Sequence, residues 1–184
     1  MRKMSEKKII VDGLELNYEG IFDVKSLLDV IDKSCAEKGY VKQEKRRNEE
    51  IKEKGKDFYI ELRPTKVKTA YFALLIKIRL HITNITEVEV IVDGKTRKLS
   101  KGNVHAVFDA WTITDIQNRW EQTPWYYFLR ILVNQYIWRV GPDKFVDELI
   151  EDTHYIYNNL EGALELHRFI GTDEKKEKET EIKK

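Results

Sequence analysis

Residues 67–83 hold the longest run of strict alternation in the chain, and this run limits the fold more than any other feature. Phe72, Leu74, Ile76, Ile78, Leu80 and Ile82 occupy every second position. Between them, Tyr71, Ala73, Leu75, Lys77, Arg79, His81 and Thr83 begin apolar and turn basic. A period of two sustained this long specifies a β-strand with one face on a core. The even residues must meet that core, and the odd residues pass into water along the strand.

Neighbouring segments supply its partners. Val88, Val90 and Val92 alternate up to Asp93-Gly94, the strongest hairpin signal in the chain. Residues 95–99 return. Ser100-Lys101-Gly102-Asn103 predicts another turn, and residues 104–114 a last strand. Val104, Ala106, Phe108, Ala110 and Thr112 share one face of that strand, and His105, Val107, Asp109, Trp111 and Ile113 the other. Upstream, Phe58, Ile60 and Leu62 alternate until Pro64 ends or bulges the run. Residues 40–54 are very polar. Their Glu and Lys content competes for a helix, but the turn at Gly55 into an alternating segment favours a strand. Residues 8–19 predict a strand pair or a bent strand about Asp12-Gly13, ended by Gly20. Hairpins joined by short turns make an antiparallel meander.

Three helices complete the pattern. Asp23 caps a helix over residues 24–38, with Val24, Leu27, Leu28, Ile31 and Cys35 at spacings of three and four and Gly39 as its stop. Thr123-Pro124 starts the second. Its stripe is Trp125, Phe128, Leu129, Leu132, Tyr136 and Val140, and Tyr126, Tyr127, Ile131, Val133, Ile137 and Trp138 widen it almost to a full circle. A helix apolar nearly all round is sandwiched or meets a partner. Gly141-Pro142 breaks it, and Phe145, Leu149, Ile156, Leu160 and Leu164 predict a third helix ending at Gly171.

The expected fold is therefore α+β: an antiparallel meander, one helix after the first strand, and two long C-terminal helices packed on the sheet. Residues 8–171 form one domain, preceded by a flexible N-terminus, 1–7. Residues 172–184, with Ile182 as their one aliphatic residue, predict a disordered charged tail. This element order resembles the helix-grip arrangement of the Bet v 1-like and START superfamily, in which a curved antiparallel sheet wraps a long C-terminal helix. The chain departs from it in having one helix after the first strand, two at the end and no glycine-rich loop. The resemblance implies binding of an apolar ligand or a protein partner. It carries over no functional residue.

Charge excludes little by itself, because 33 basic residues face 32 acidic ones. Its distribution says more. Residues 42–68 carry ten basic and six acidic side chains, and residues 143–170 carry seven acidic and two basic. This predicts either complementarity within the chain or a basic edge for an anionic partner. The acidic last helix argues against a nucleic-acid footprint. A single cysteine, Cys35, excludes an internal disulfide and reads as a small core residue. No apolar run reaches the ~18 residues of a membrane span, and the expectation is a cytoplasmic protein. The Glu- and Lys-rich composition, 35% charged, resembles that of thermophiles.

No catalytic motif stands out. Glu151-x-x-His154 has the spacing of helical di-iron sites, but no second copy exists. His105 and Asp109 share a strand face yet lie roughly 13 Å apart, too far to bond. Only a favourable register could bring His81, on another strand, to either of them, and an enzyme using the three is the last of the readings. A cross-strand pair of Asp109 with Lys77 or Arg79 is the expected role. No cofactor or metal is implied. The residues left for function are apolar and aromatic. Phe72, Leu74, Ile76 and Phe108 on the even face, with Trp125, Phe128 and Leu132, would enclose an apolar small molecule or a protein segment. Trp111, Tyr126, Tyr127 and Trp138 are further candidates for a pocket or partner patch. The alternative is an assembly protein using the aromatic helix as an oligomer or hetero-complex interface.

Overall fold

The computed structural model describes residues 6–52, 55–69, 72–92, 95–114 and 142–181. Six strands and two helices follow in the order β1 (Glu6–Phe22), α1 (Val24–Glu37), β2 (Glu44–Lys52), β3 (Gly55–Leu62), β4 (Thr65–Val67), β5 (Phe72–Val92), β6 (Lys95–Thr114) and α2 (Pro142–Glu181). All strands belong to one antiparallel sheet in the order β1-β6-β5-β3-β2, with β4 beside β5. Within the polar segment at 40–54, Glu44–Lys52 forms a strand rather than a helix. It lies at an edge, where charges discourage pairing with another chain.

The alternation in β5 sorts its faces as expected. Leu74, Ile76, Ile78, Leu80 and Ile82 are fully buried, and they pack with Phe108, Ala106 and Val104 of β6. Both helices cover this inner face. Helix α1 contributes Leu27, Ile31 and Cys35, and α2 contributes Leu149, Ile156, Leu160 and Leu164. Asp23 caps α1 by accepting from Lys25 N–H at 3.1 Å, and Gly39 follows with φ +77°. Phe145 stacks on Phe72 at 5.2 Å between centroids, and Tyr157 meets Phe108 edge-on at 5.7 Å. These pairs bring α2 down along the sheet.

Several turn signals serve as bulges instead. Asp12-Gly13 makes no hairpin. β1 is one bent strand whose register against β6 slips between Ile9 and Val11 and again before Leu14. Gly13 stands at φ +63°, and its N–H donates to Asp109 Oδ1 at 3.0 Å. A glycine in the left-handed region suits a bulge as well as a turn. Gly20 does not end the strand, which runs on to Phe22. Nor does the chain turn at residues 100–103. β6 is continuous, and the register shift opposite Gly102 is absorbed by an extra residue on β5 at Asn84, whose φ is +56°. There Gly102 packs so closely that a Cβ would lie 2.7 Å from the Thr83 carbonyl oxygen. The two alternating runs at 67–83 and 88–92 accordingly merge from Phe72 onward, while Thr65–Val67 forms the separate β4. Pro64 sits between β3 and β4, and its carbonyl accepts from Ile76 N–H at 3.0 Å.

One C-terminal helix is described, α2, starting at Pro142. The other expected helix, from Pro124 to Val140, lies within residues 115–141, outside the described residues, together with Trp125, Tyr126, Tyr127, Phe128, Leu132 and Trp138. α2 passes through Gly171 and continues to Glu181, where the sequence predicted a structureless tail. A glycine inside a helix costs only about 1 kcal/mol relative to alanine, and the Glu and Lys beyond it are good helix formers. Among the described residues, no helix is long and apolar enough to cross a membrane.

Candidate functional site

The antiparallel register fixes which side chains meet on the sheet's outer face, the side away from α1 and α2. Near the start of β5 this face is apolar. Ile9 of β1 pairs with Trp111 of β6, Trp111 with Leu75, and Ile113 with Ala73. A charged belt follows. Asp109 is buried, 4% exposed, and accepts from Arg79 Nη2 at 2.8 Å as well as from Gly13 N–H. Arg79 thus realises one of the two cross-strand partners expected for Asp109. Beside it, Arg63 Nε donates to Glu61 at 2.6 Å. Burial raises the Glu61 carboxyl, but the hydrogen bond and charge of Arg63 outweigh this and leave it below its ordinary value.

Beyond the belt lies a row of imidazole, phenol and amide groups. Asn17 of β1 pairs with His105 of β6, His105 with His81 of β5, His81 with Tyr59 of β3, and Tyr59 with Asn48 of β2. The ring of His105 meets Asn17 through Nδ1 and Oδ1 at 2.6 Å. Tyr59 stands edge-on to His81 at 6.0 Å, and the Arg46 guanidinium lies 5.9 Å from the Tyr59 ring centre. Asn17, Tyr18, Glu19, His81, Thr83, Asn103, Val104 and His105 line an open depression of about 550 Å³. The odd residues of a single strand could not reveal this row, because five strands contribute to it and only their register aligns them.

A second polar cluster joins the sheet to α2. Asp152, 3% exposed, meets Lys66 at 3.2 Å and Lys38 at 3.4 Å. Glu148 meets Lys66 at 2.6 Å and also binds Lys68. The Tyr40 hydroxyl is buried here without a hydrogen-bond partner among the described residues. Burial and the Asp152 charge push its phenol far up. This cluster supports the reading of the uneven charge as complementarity within the chain, since basic β4 faces acidic α2.

The sequence-derived candidates separate between the faces. Leu74, Ile76 and Phe108 are fully buried core residues, with Phe72 half-buried beside them. Trp111 lies on the opposite face. The Cys35 thiol is buried, and burial, reinforced by Asp32, pushes it up to about 12. Glu151 and His154 are exposed on α2. Among the described residues, no three His, Cys, Asp or Glu side chains gather into a metal-binding group. No protein family, curated protein or solved structure matches this chain.

Proposed function

We propose that the protein is a non-enzymatic binding module that recognises a protein segment on the outer face of its sheet. The observation that carries this reading is the Asn17–His105–His81–Tyr59 row beside the open depression. A drug-sized ligand needs most of its surface enclosed, and an open polar face suits an extended partner better. Tyrosine and arginine, both present here, are enriched at protein interfaces. Both arginines of the belt are engaged by carboxylates, Arg79 by Asp109 and Arg63 by Glu61, which disfavours a phosphate-rich partner.

In a helix-grip protein the ligand would lie between sheet and final helix. Here Leu74, Ile76, Ile78 and Phe108 meet Leu149, Ile156 and Leu160 in that seam with no exposed surface. The partner-binding half of the helix-grip expectation therefore fits this chain better than the apolar-ligand half. The test is affinity purification of the native protein beside a Tyr59→Ala/His81→Ala variant. The expected result is a stoichiometric protein partner lost in the variant, with far-UV circular dichroism unchanged. An identical set of co-purifying proteins for both would overturn the reading. So would a lipid-sized mass retained in native mass spectrometry, which would restore the ligand in the seam.

A further inference from the structure

We propose that His81 and His105 form a two-imidazole site for a divalent transition-metal ion of the copper, nickel or zinc class. The inference uses the same row of residues as the partner-binding reading but does not rest on it, since metal binding is read on the chain alone. The two histidines are direct register partners on adjacent antiparallel strands. Side chains so placed have Cβ atoms about 4.5–5.5 Å apart and project from the same face. Two imidazole nitrogens binding one ion at about 2.0–2.1 Å each must approach to roughly 3 Å. The two side chains start at that Cβ spacing and both line the same open depression, so an ion between them would draw the rings together by rotation about χ1 and χ2.

Two further features favour a metal over a chance pairing. The short contact between His105 Nδ1 and Asn17 Oδ1 requires the ring nitrogen to donate, since an amide oxygen only accepts. With the amide oriented so, the neutral ring carries its proton on Nδ1 and its lone pair on Nε2. A hydrogen bond from the far ring nitrogen to an oxygen is the usual support for a metal-ligating histidine. His81 has no hydrogen-bond partner among the described residues. Its recorded contact is the edge of Tyr59, which braces the ring without occupying either nitrogen.

The electrostatics agree. Glu19 is among the residues lining the depression, and the nearest cation on β5, Arg79, is already paired with Asp109. Two neutral imidazoles select borderline ions over magnesium or calcium, which need oxygen ligands. No third His, Cys, Asp or Glu joins the pair among the described residues. The ion's other positions are therefore open to water or to a donor from a bound molecule.

The chain has four histidines, at 81, 105, 154 and 167, so the test is compact. The full chain is titrated with copper(II), followed by calorimetry and by electron paramagnetic resonance. The expected result is one ion per chain with nitrogen hyperfine structure. His81→Ala and His105→Ala should each weaken binding at least tenfold, and Asn17→Ala about tenfold, the scale of a lost supporting contact. A His154→Ala/His167→Ala variant should bind as the native chain does. His105→Gln serves if the alanine variant fails to fold. Binding that survives loss of both His81 and His105, or that vanishes with His154 and His167, would overturn the assignment. So would the absence of a saturable step in the native chain.

Discussion

The inner and outer faces of β5 differ by one residue of phase and by most of their physics. Inward, Leu74, Ile76, Ile78, Leu80 and Ile82 are fully buried against two helices. Outward, Lys77 and Arg79 are half-buried and His81 is exposed. The inner side chains are interchangeable in kind, since burying any of them contributes about 1.5–3 kcal/mol by area alone. The outer ones matter by identity, because each meets a particular neighbour across the sheet. The inner face therefore makes the fold, and the outer face carries what distinguishes this sheet from another.

The most severe test of that division is a cavity on one side and a truncation on the other. Phe108→Ala should cost about 3–5 kcal/mol in urea unfolding, as large-to-small changes in a tight core do. His81→Ala should stay within about 0.5 kcal/mol, as an exposed residue without a hydrogen-bond partner among the described residues should. Similar losses for the two would abolish the distinction.

The next effect sits where α2 is fastened to β4. Lys66→Ala leaves the nearly buried Asp152 with Lys38 at 3.4 Å. Stranding a buried polar group costs about 1–3 kcal/mol, and more when it is charged, so a loss of about 2–3 kcal/mol is expected. Removing both partners in Lys66→Met/Asp152→Leu should recover much of that loss, because neither desolvated charge remains. A double variant as unstable as the sum of its single changes would mean that packing, not charge, holds the helix there.

Sequence legibility divides along the same line. The inner face could be read directly, because alternation in β5 and β6 and helical spacing in α1 and α2 are local signals. The outer site could not, because His81 and His105 are 24 positions apart and meet only through register. That register depends on bulges, and the glycines marking them gave the same signal as turns. Asp12-Gly13 and Gly102 both had turn chemistry, yet the pairing partner on β6 or β5 kept each strand going. Asp109 was the exception: its expected cross-strand cation is present, since charge complementarity on one face is a short-range demand. The aromatic residues from Trp125 to Trp138 lie outside the described residues.

Gly102 offers a smaller test, aimed at the register between the faces. A methyl there would meet the Thr83 carbonyl oxygen at 2.7 Å, and backbone cannot swing aside as a side chain can. Gly102→Ala should cost about 1–3 kcal/mol through overpacking. It should also disturb the depression, since Asn103 and Thr83 flank the contact. Nitrogen-proton correlation spectra would show this as shifts concentrated at His81, Thr83, Asn103 and His105. Shifts spread evenly through the core would place the strain on the inner face instead.

The weakest expected effect is electrostatic and concerns the fastening of α2. Burial raises the Glu148 carboxyl, but hydrogen bonds from Lys66 and Lys68 together outweigh it and hold the group below its ordinary 4.5. Burial lowers Lys66, and its bonds to Glu148 and Asp152 outweigh that and hold it above its ordinary 10.5. A carboxyl depressed on folding contributes stability above pH 4.5 and loses it as pH falls through the folded value. An ammonium raised on folding contributes below pH 10.5 and loses it as pH rises through the folded value. The share from this pair is therefore flat between those limits and falls away at both ends. Glu148→Gln should reduce the acid-side loss of urea midpoint. Because both side chains keep some exposure, 28% for Glu148 and 18% for Lys66, salt should shrink the difference between native and variant. An acid limb identical in the two proteins at low salt would show that the Glu148 carboxylate contributes nothing measurable to holding α2, and would leave the charged part of that fastening to Asp152.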